Sequence, residues 1–501
     1  MQHFSVIIIG GGPGGYETAI RLSQYNISCL VIEKARLGGI CLNWGCIPTK
    51  ALVKSAELFS EMKEAKDFGL PENTLNLDYR QVWERKNTVV EQLVSGVEYL
   101  FRKRKIPVVN AEATSVKREN GIYLVQTAQG ESYGCDYLVL ATGSEAKSLP
   151  GIEIDEVDVL SSTGILKLEE LPETLAVVGG GVIGCEFASV FAAFGVKVTI
   201  IEFLPRIIAL EEEEISKRLA LSFKKSGITV KTGVGVQSIA KKEGGMELSL
   251  SDGSTLEAEK VLMSVGRMPV NTLAWEGLEL LSERGAVVID DAMRTNLDRV
   301  FAIGDLTAKL QLAHTASKQG LMVAEIIKNE LQMAGDSYLR RNEEKENRNE
   351  EKENRNEDQG DPSTPRPLDL STPRPLNYVN IPRCTFTHPE IASVGYTQAE
   401  AEKVFSNVRI GKFPFTANGK ALAMGNTAGF VKTIARTDTN ELVGMHIMGP
   451  NAAELIAQGA ILIANHQTAE DAEHIVFAHP TLSEAIMEAM EDLRNLSIHT
   501  I

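Results

Sequence analysis

Cysteine is scarce in this chain, with six residues among 501. These six are too few and too scattered for the disulfide framework of a small secreted protein, and no second Cys/His pair has zinc-site spacing. We therefore expect no metal site. In a reducing compartment a disulfide formed by any of them is expected to be catalytic rather than structural.

Long apolar runs and an excess of basic charge are also missing. No apolar run reaches the length of a membrane span, and the net charge of −16 argues against a general nucleic-acid binder. The first residues have neither the charged and apolar regions of a secretory signal nor the composition of a transit peptide. The sequence therefore predicts a cytoplasmic protein that binds neither nucleic acid nor membrane.

A glycine-rich turn follows the first apolar stretch. The run "FSVIII" leads into Gly10, Gly12 and Gly15, then a helical pattern, then a strand that ends at Glu33. In a dinucleotide-binding unit such glycines admit the pyrophosphate, the helix N-terminus attracts its charge, and the acid accepts hydrogen bonds from ribose. A glycine turn that binds no ligand is the alternative interpretation.

The same pattern recurs in "TLAVVGGGVIGCEFASVFAAFGVKVTIIE", with Gly179, Gly181, Gly184 and Glu202. The interval from the first glycine to the acid is 23 residues in both copies. Two matching units weaken the alternative and predict two dinucleotide cofactors that exchange electrons. Glu202 favours the 2′-hydroxyl of NAD over the 2′-phosphate of NADP, a preference that the nearby Arg206 would soften.

Two cysteines lie close together in "CLNWGCIPTK". Cys41 and Cys46 have three interpretations, namely half of a zinc site, an inert buried pair, or a redox disulfide. Gly38 and Gly39 permit close backbone approach, and Pro48 suits a first helical turn. A thiolate at a helix N-terminus has a lowered pKa and is a better leaving group, so the segment favours the redox disulfide.

Thiol–disulfide exchange also needs a base. The motif "FAHPTLSEA" offers His479, whose ordinary pKa of about 6.5 suits proton transfer near neutral pH. Glu484 would orient the imidazole and stabilise its charged form. A histidine that only occupies a turn before proline is the alternative.

Many ordered motifs resemble the FAD- and NAD(P)-dependent pyridine nucleotide–disulfide oxidoreductases. They are "GGGPGGY", "EKARLGGICLNWGCIPTKAL", "ATGS", "GGGVIGCEFA", "SVGRMPVNT", "FAIGD", "QLAHTASKQG", "THPEIASVGYT" and "FAHPTLSEA". The resemblance covers about residues 3–335 and 377–495. It implies an α/β fold with two Rossmann-like FAD/NAD(P)-binding domains plus a C-terminal α+β dimerisation domain.

The resemblance also implies domain boundaries. They are 1–149 for an FAD-binding domain, 150–270 for an NAD-binding domain, 271–339 for a central domain that completes the FAD site, 340–376 for an insertion, and 377–501 for a dimer-interface domain. The insertion contains "RNEEKEN" twice and "STPRPL" twice, without an apolar seam. We expect it to be disordered, with a docking role for the Pro-rich repeat as the alternative.

By resemblance, two sets of residues contact the cofactors. The FAD set is Gly10, Gly12, Gly15, Glu33, Gly39, Lys50, Ala113, Thr142, Gly143, Ser144, Asp305, Gln311, Leu312, Ala313 and His314. The NAD set is Gly179, Gly181, Gly184, Glu186, Glu202, Val234 and Gly266. Without the resemblance, Glu186 would read as an ordinary acid in the first turn of a helix.

The resemblance assigns the reacting groups as well. Cys41 would exchange with substrate, and Cys46 would face the flavin. Lys50 would pair with Glu186 near the reactive nitrogen of the flavin. His479 would serve the disulfide of the other subunit, so the active form would be a homodimer.

The resemblance is strongest to members that oxidise protein-bound dihydrolipoamide with NAD. The implied partners are the lipoyl domains of the acyltransferase component of 2-oxo acid dehydrogenase complexes, or of the glycine cleavage system. Another flavoprotein disulfide reductase, such as glutathione reductase, is the alternative. A catalytically silent binding module would be expected to lack the cysteines or His479. Phe477 and Trp44 depart from the family pattern and are expected to affect substrate access.

Overall fold

A computed structural model describes residues 1–71, 75–347 and 374–499 of the chain, with the side chains of 334–347 excepted. These residues form two compact units. Unit 1 comprises Met1–Asn43, Gln92–Glu145 and Met268–Leu376, and unit 2 comprises Trp44–Glu91, Ala146–Arg267 and Asn377–Ile501, as far as these are described. No helix in the described ranges is long and apolar enough to cross a membrane.

The described residues form both α-helices and β-strands. The α-helices are α1 Pro13–Gln24, α2 Gly39–Trp44, α3 Cys46–Glu64, α4 Tyr79–Arg104, α5 Val182–Ala193, α6 Glu213–Lys225, α7 Ala313–Asn347, α8 Gln398–Val404, α9 Gly419–Ala423, α10 Ala452–Ala464, α11 Ala469–Ala472 and α12 Glu484–Asp492. Short 3-10 helices cover Ala65–Phe68, Ile165–Lys167, Gly304–Thr307, Tyr378–Asn380 and Phe415–Ala417.

The strands are β1 Gln2–Ile9, β2 Cys29–Glu33, β3 Val108–Asn110, β4 Ala113–Glu119, β5 Ile122–Thr127, β6 Ser132–Leu140, β7 Ser144–Ala146, β8 Val159–Leu160, β9 Thr174–Val178, β10 Lys197–Glu202, β11 Thr229–Thr232, β12 Val236–Lys242, β13 Gly245–Leu250, β14 Thr255–Ala258, β15 Lys260–Met263, β16 Arg267–Pro269, β17 Ala274–Glu276, β18 Ser282–Glu283, β19 Ala286–Val287, β20 Val300–Ala302, β21 Arg383–Thr385, β22 Ile391–Gly395, β23 Val408–Pro414, β24 Phe430–Arg436 and β25 Leu442–Met448.

The main sheet of unit 1 has the order β17-β4-β5-β6-β1-β2-β3, with β20 also paired to β6. Strand β1 pairs in parallel with β2 and with β6, so the first strand lies inside the sheet. Every residue of β2 is buried, as are Val6–Ile9 of β1. Such continuous apolar strands are typical of a parallel sheet covered on both faces.

Unit 2 contains a sheet that is parallel throughout, in the order β11-β10-β9-β15-β8. An antiparallel sheet, β21-β22-β25-β24-β23, forms the C-terminal part of this unit. The apolar faces of α10 and α12 belong to the same buried core as β24 and β25. A mixed sheet built around parallel strands, a second sheet that is parallel throughout, and an antiparallel sheet with helices confirm the predicted fold class.

A row of polar side chains crosses the antiparallel sheet. The strand register aligns Arg383, Ser393, His446, Lys432 and Lys412 on β21, β22, β25, β24 and β23. The three cations of this row meet acids at the start of α6, in the pairs Arg383–Glu211 (3.5 Å), Lys432–Glu212 (2.9 Å) and Lys412–Glu214. Within unit 2, the row therefore links the start of α6 to the C-terminal antiparallel sheet.

Helix α7 continues to Asn347, so residues 340–347 of the predicted insertion are helical. This stretch is rich in glutamate, lysine and arginine, which have high helix propensity, and that composition explains the extension. The expected disorder of 348–373 concerns residues outside those that the structure describes. The bounds of the five predicted regions stay predictions.

Candidate active site

The first glycine turn joins β1 to α1 and has no room for side chains at Gly10 and Gly15. Gly10 has φ of +108°, and a Cβ there would lie 2.1 Å from the carbonyl oxygen of Ala141. A Cβ on Gly15 would lie 1.9 Å from the carbonyl oxygen of Gly10. A Cβ on Gly39 would lie 2.6 Å from the Cα of Gly12, which places Gly39 against the turn.

The second turn, between β9 and α5, repeats this geometry. Gly179 has φ of +105°, and its Cβ would lie 2.5 Å from the carbonyl oxygen of Ser264. A Cβ on Gly184 would lie 2.1 Å from the carbonyl oxygen of Gly179. A Cβ on Gly181, by contrast, would meet no atom within 4 Å. The turn is closed where helix and strand pack, and open where a pyrophosphate would approach, so it fits a dinucleotide.

Glu33 and Glu202 are bonded to their turns in the same way. Each carboxylate accepts one N–H from the middle of the glycine turn and one from the residue two positions after itself. The donors are Gly11 (2.6 Å) and Ala35 (2.7 Å) for Glu33, and Gly180 (2.6 Å) and Leu204 (2.7 Å) for Glu202. A carboxylate has about four acceptor positions, so each acid keeps capacity for ribose hydroxyls.

The NAD set gathers at one edge of the second parallel sheet. Gly179 follows β9, Glu202 ends β10, Val234 follows β11 and Gly266 follows β15, and these four strands are neighbours. Their carboxyl ends therefore lie at the same edge, where ligands bind in such sheets. The N–H of Val234 donates to the carbonyl oxygen of Glu202 at 3.1 Å.

Arg206 is engaged by its own loop. Its two terminal nitrogens donate to the carbonyl oxygens of Glu211 at 3.0 Å and Ala209 at 2.6 Å. The guanidinium is thereby held by backbone oxygens after β10. This geometry therefore gives no support to the idea, raised from the sequence, that Arg206 weakens the preference for NAD over NADP.

Several FAD-set residues of unit 1 likewise lie at the carboxyl ends of neighbouring parallel strands. Gly10 follows β1, Glu33 ends β2, the stretch 142–144 follows β6 and Asp305 follows β20, all on neighbouring parallel strands. The Ser144 hydroxyl donates to Asp305 Oδ2 at 2.5 Å. The Thr142 hydroxyl donates to the carbonyl oxygen of Val270 at 2.5 Å. In return, the Val270 N–H donates to the carbonyl oxygen of Gly143 at 2.9 Å.

The other predicted FAD contacts lie at element ends. Ala113 is buried at the start of β4, and residues 311–314 lie at the start of α7, with Ala313 its first residue. A helix N-terminus of this kind supplies N–H groups that suit a phosphate or a carbonyl oxygen of a ligand.

Lys50 and Glu186 form an ion pair between α3 and α5. Lys50 Nζ lies 3.0 and 2.9 Å from the two carboxylate oxygens. The Glu186 side chain is only 6% exposed and that of Lys50 is 32% exposed. Helix α5 begins at Val182, so Glu186 lies beyond its first turn, and its carboxylate is paired with a cation. Glu186 is therefore not an acid of the first helical turn, as the alternative had it, while its part in the cofactor site stays a prediction.

A residue that the motifs did not indicate also contacts this pair. The N–H of Phe386 donates to Glu186 Oε1 at 2.9 Å, and Lys50 Nζ lies 4.3 Å from the centre of the Phe386 ring. Phe386 lies 200 positions from Glu186 and directly precedes the "THPEIASVGYT" motif. No local spacing in the sequence links it to the pair.

His479 and Glu484 lie together at the start of α12. His479 Nδ1 is 2.8 Å from Glu484 Oε1, and the second carboxylate oxygen accepts the Thr481 N–H at 2.8 Å. Burial opposes ionisation of Glu484, but the hydrogen bonds from Thr481 and His479 outweigh it and hold the pKa of the carboxyl below its ordinary value. The carboxylate is thus charged near neutral pH and oriented toward the imidazole.

The two cysteines belong to adjacent helices. Cys41 lies in α2, and Cys46 is the first residue of α3, where helical N–H groups favour a thiolate. Burial raises the pKa of Tyr16, as do the carboxylate of Glu17 and, to a smaller extent, the negative charge that Cys41 carries as a thiolate. The two cysteines fall in different compact units, and their pairing as a disulfide stays a prediction.

Residues 4–320 match the model of the pyridine nucleotide-disulphide oxidoreductases, and residues 381–490 match the dimerisation domain of that family. The chain belongs to this family. FAD and NAD are its cofactors, and the dimerisation domain supports a homodimer.

Curated relatives match the chain along its whole length. The dihydrolipoyl dehydrogenase of Bacillus subtilis strain 168 is 36% identical over 99% of both chains. That of Chlamydia pneumoniae is 36% identical over 99% of this chain and 98% of its own.

Solved structures show the same fold. The HOCl-induced flavoprotein disulfide reductase RclA of Escherichia coli has a TM-score of 0.79 and 25% identity, covering 97% of this chain and 99% of that one. LpdA of Mycobacterium tuberculosis has a TM-score of 0.81 and 23% identity, covering 98% of this chain and all of its own, and this likeness concerns the fold alone.

Proposed function

We propose that this protein oxidises dihydrolipoyl groups to lipoyl groups through a redox disulfide of Cys41 and Cys46 and reduces NAD. The observation that carries the proposal is the anchored His479–Glu484 pair, a base suited to thiol chemistry, in a chain 36% identical along its length to a dihydrolipoyl dehydrogenase. The proposed partners are lipoyl domains of 2-oxo acid dehydrogenase complexes or of the glycine cleavage system.

The thiol chemistry balances with the groups named. His479 takes the proton of one substrate thiol, and the resulting thiolate attacks the sulfur of Cys41 and displaces Cys46 as a thiolate. The second substrate thiol then attacks the substrate sulfur of this mixed disulfide and passes its proton to the departing sulfur of Cys41, which closes the lipoyl ring and releases Cys41 as a thiol. Substrate loses two electrons and two protons, and the cysteine pair is reduced.

Bound FAD supplies the two-electron chemistry that connects the reduced cysteine pair with NAD. We assign its binding to the FAD set. In this assignment Asp305, oriented by Ser144, accepts hydrogen bonds from the cofactor's hydroxyl groups, and Glu33 accepts those of its ribose. Lys50, held by Glu186, places a positive charge beside the flavin.

NAD, rather than NADP, fits the second site as we assign it. Glu202 presents a carboxylate where NADP would carry a phosphate, and the guanidinium of Arg206 is engaged by two carbonyl oxygens. This electrostatic argument opposes glutathione reductase as the alternative activity. The cytoplasmic location predicted from the sequence stays part of the proposal.

One assay tests the proposal directly. Purified protein is given dihydrolipoamide with NAD, and separately glutathione disulfide with NADPH. We expect NADH formation in the first mixture and negligible turnover in the second. Activity confined to NADPH and glutathione disulfide would overturn the proposal.

The thiol pair has its own test. A Cys46→Ser variant is expected to keep bound FAD yet lose reduction of the flavin by dihydrolipoamide, because the substrate has no disulfide to attack. Flavin absorbance under anaerobic conditions reports this step. Unchanged turnover in this variant would remove the disulfide from the reaction.

A further inference from the structure

The Lys50–Glu186 pair is held from two sides by one aromatic residue. Phe386 donates its N–H to Glu186 and places its ring 4.3 Å from Lys50 Nζ. An ammonium over an aromatic ring is attracted by the electrons of the ring face, most strongly where water is excluded. Phe386 thus binds both members of the pair through two different groups.

The ring is itself immobilised by its surroundings. Phe386 packs against the buried core that includes Phe187 and Val190 of α5. Two residues later, the His388 N–H donates to Ser189 Oγ at 3.1 Å. Phe386 and His388 therefore bind α5 at Glu186 and Ser189. These two residues are three positions apart and lie on one face of the helix.

Lys50 needs such a contact because its side chain is long and partly exposed. The lysine ammonium lies at the end of a flexible four-carbon chain, so a single carboxylate does not fix the position of the ammonium. The carboxylate of Glu186 holds the ammonium on one side, and the Phe386 ring restricts it on another. Together these contacts leave the ammonium few positions.

We propose that Phe386 is a positioning residue that aims the Lys50 ammonium at the flavin. The proposal rests on the function proposed above, since it requires FAD bound beside Lys50. A positive charge near the flavin stabilises its reduced, anionic form and raises its reduction potential. Phe386→Leu keeps the backbone donor to Glu186 but removes the ring, so Lys50 gains freedom and the flavin potential becomes more negative.

The experiment measures the potential of bound FAD by dye-coupled photoreduction, in a Cys46→Ser background where the flavin titrates without the cysteine pair. We expect Phe386→Leu to lower the equilibrium constant for flavin reduction about fivefold, the size of a partly buried cation–π contact. Phe386→Tyr keeps a ring and is expected to restore the wild-type potential. An unchanged potential in Phe386→Leu would overturn the proposal.

Helix α3 offers a matched control. Lys63 Nζ lies 4.2 Å from the ring centre of Phe59, which packs on the same core as Phe386. Phe59→Leu therefore removes an equivalent lysine–aromatic contact away from Lys50. We expect a comparable change in melting temperature and no change in flavin potential. An equal potential shift in both variants would mean that general loosening of α3 is the cause.

A double-mutant cycle shows whether the ring acts through Lys50. In a Lys50→Met background, Phe386→Leu is expected to cause no further shift, whereas a full shift would contradict the proposal. None of these measurements uses dihydrolipoamide. A protein inactive with that substrate would overturn the proposed function, while the potentials would still decide the role of Phe386.

Discussion

At the scale of single residues, hydrogen-bond geometry alone does not identify a base. His466 and Glu441 form a second pair with Nδ1–Oε1 of 2.6 Å and exposed fractions of 78% and 23%. His479 and Glu484 have 2.8 Å and exposed fractions of 78% and 22%. The two pairs differ in sequence context, since only the second lies in a motif of the family. The first pair is therefore a natural control for the second.

Glu484→Gln is expected to lower kcat/KM with dihydrolipoamide about 10- to 100-fold, because a neutral amide no longer stabilises the imidazolium. Steady-state assays over a range of pH on both sides of neutrality measure the effect. Glu441→Gln is expected to leave kcat/KM unchanged. Equal losses in the two variants would contradict the assignment of His479 as the base.

The same carboxylate has a pH signature in stability. The folded protein lowers the pKa of Glu484, so the ionised group contributes stability above its ordinary value of about 4.3. This contribution is lost as the pH falls through the lowered value. The urea midpoints of wild type and Glu484→Gln should therefore differ at pH near 7 and converge in acid, once the pH is below the lowered pKa of Glu484.

Nucleotide choice is a second residue-scale property. Glu202→Ala is expected to raise the KM for NAD about tenfold through the loss of hydrogen bonds to ribose. Arg206→Met is expected to leave the ratio of kcat/KM for NAD and NADP unchanged, because the guanidinium is engaged by backbone carbonyls. A marked change of that ratio in Arg206→Met would show that the arginine contacts the nucleotide.

At the scale of elements, the sequence predicts what is encoded locally. Each glycine turn, its helix and its acid occupy one continuous stretch, so spacing alone indicates the unit and its ligand class. The polar row across the C-terminal sheet depends instead on the register of five strands between residues 383 and 448. Phe386 likewise acquires its contacts only through tertiary packing. Neither feature leaves a periodic signal in the sequence.

The polar row makes a prediction about stability. Lys432 and Glu212 have side chains only 6% exposed, and Lys432 Nζ also donates to Gln398 Oε1 at 2.8 Å. Lys432→Met would leave Glu212 buried without its cation, which is expected to cost about 3 kcal/mol of unfolding free energy. Urea denaturation followed by circular dichroism measures the change.

The adjacent acid provides the control for that measurement. Glu213 pairs with Lys217 on the surface of α6, and their side chains are 66% and 69% exposed. Lys217→Met is expected to change the unfolding free energy by less than about 0.5 kcal/mol, since exposed ion pairs contribute little. Similar losses in Lys432→Met and Lys217→Met would mean that burial of the row is unimportant.

At the scale of the whole molecule, the proposed base raises the question of which subunit completes each site. The His479 side chain is 78% exposed in the single chain, although a base for thiol chemistry works best shielded from water. The dimerisation domain, which contains His479, supports a homodimer. A partner subunit that covers His479 would resolve this conflict, as the family resemblance implies.

Mixed dimers distinguish a shared site from a site within one subunit. Cys41→Ser and His479→Gln are each expected to inactivate their homodimer. In a purified heterodimer of the two, a shared arrangement leaves one of two sites intact, so about half of wild-type activity should return. A site contained in one subunit would leave no intact site and no activity. A heterodimer of Cys41→Ser with Cys46→Ser is the control: each subunit lacks one thiol of its own pair, so it should stay inactive in either arrangement.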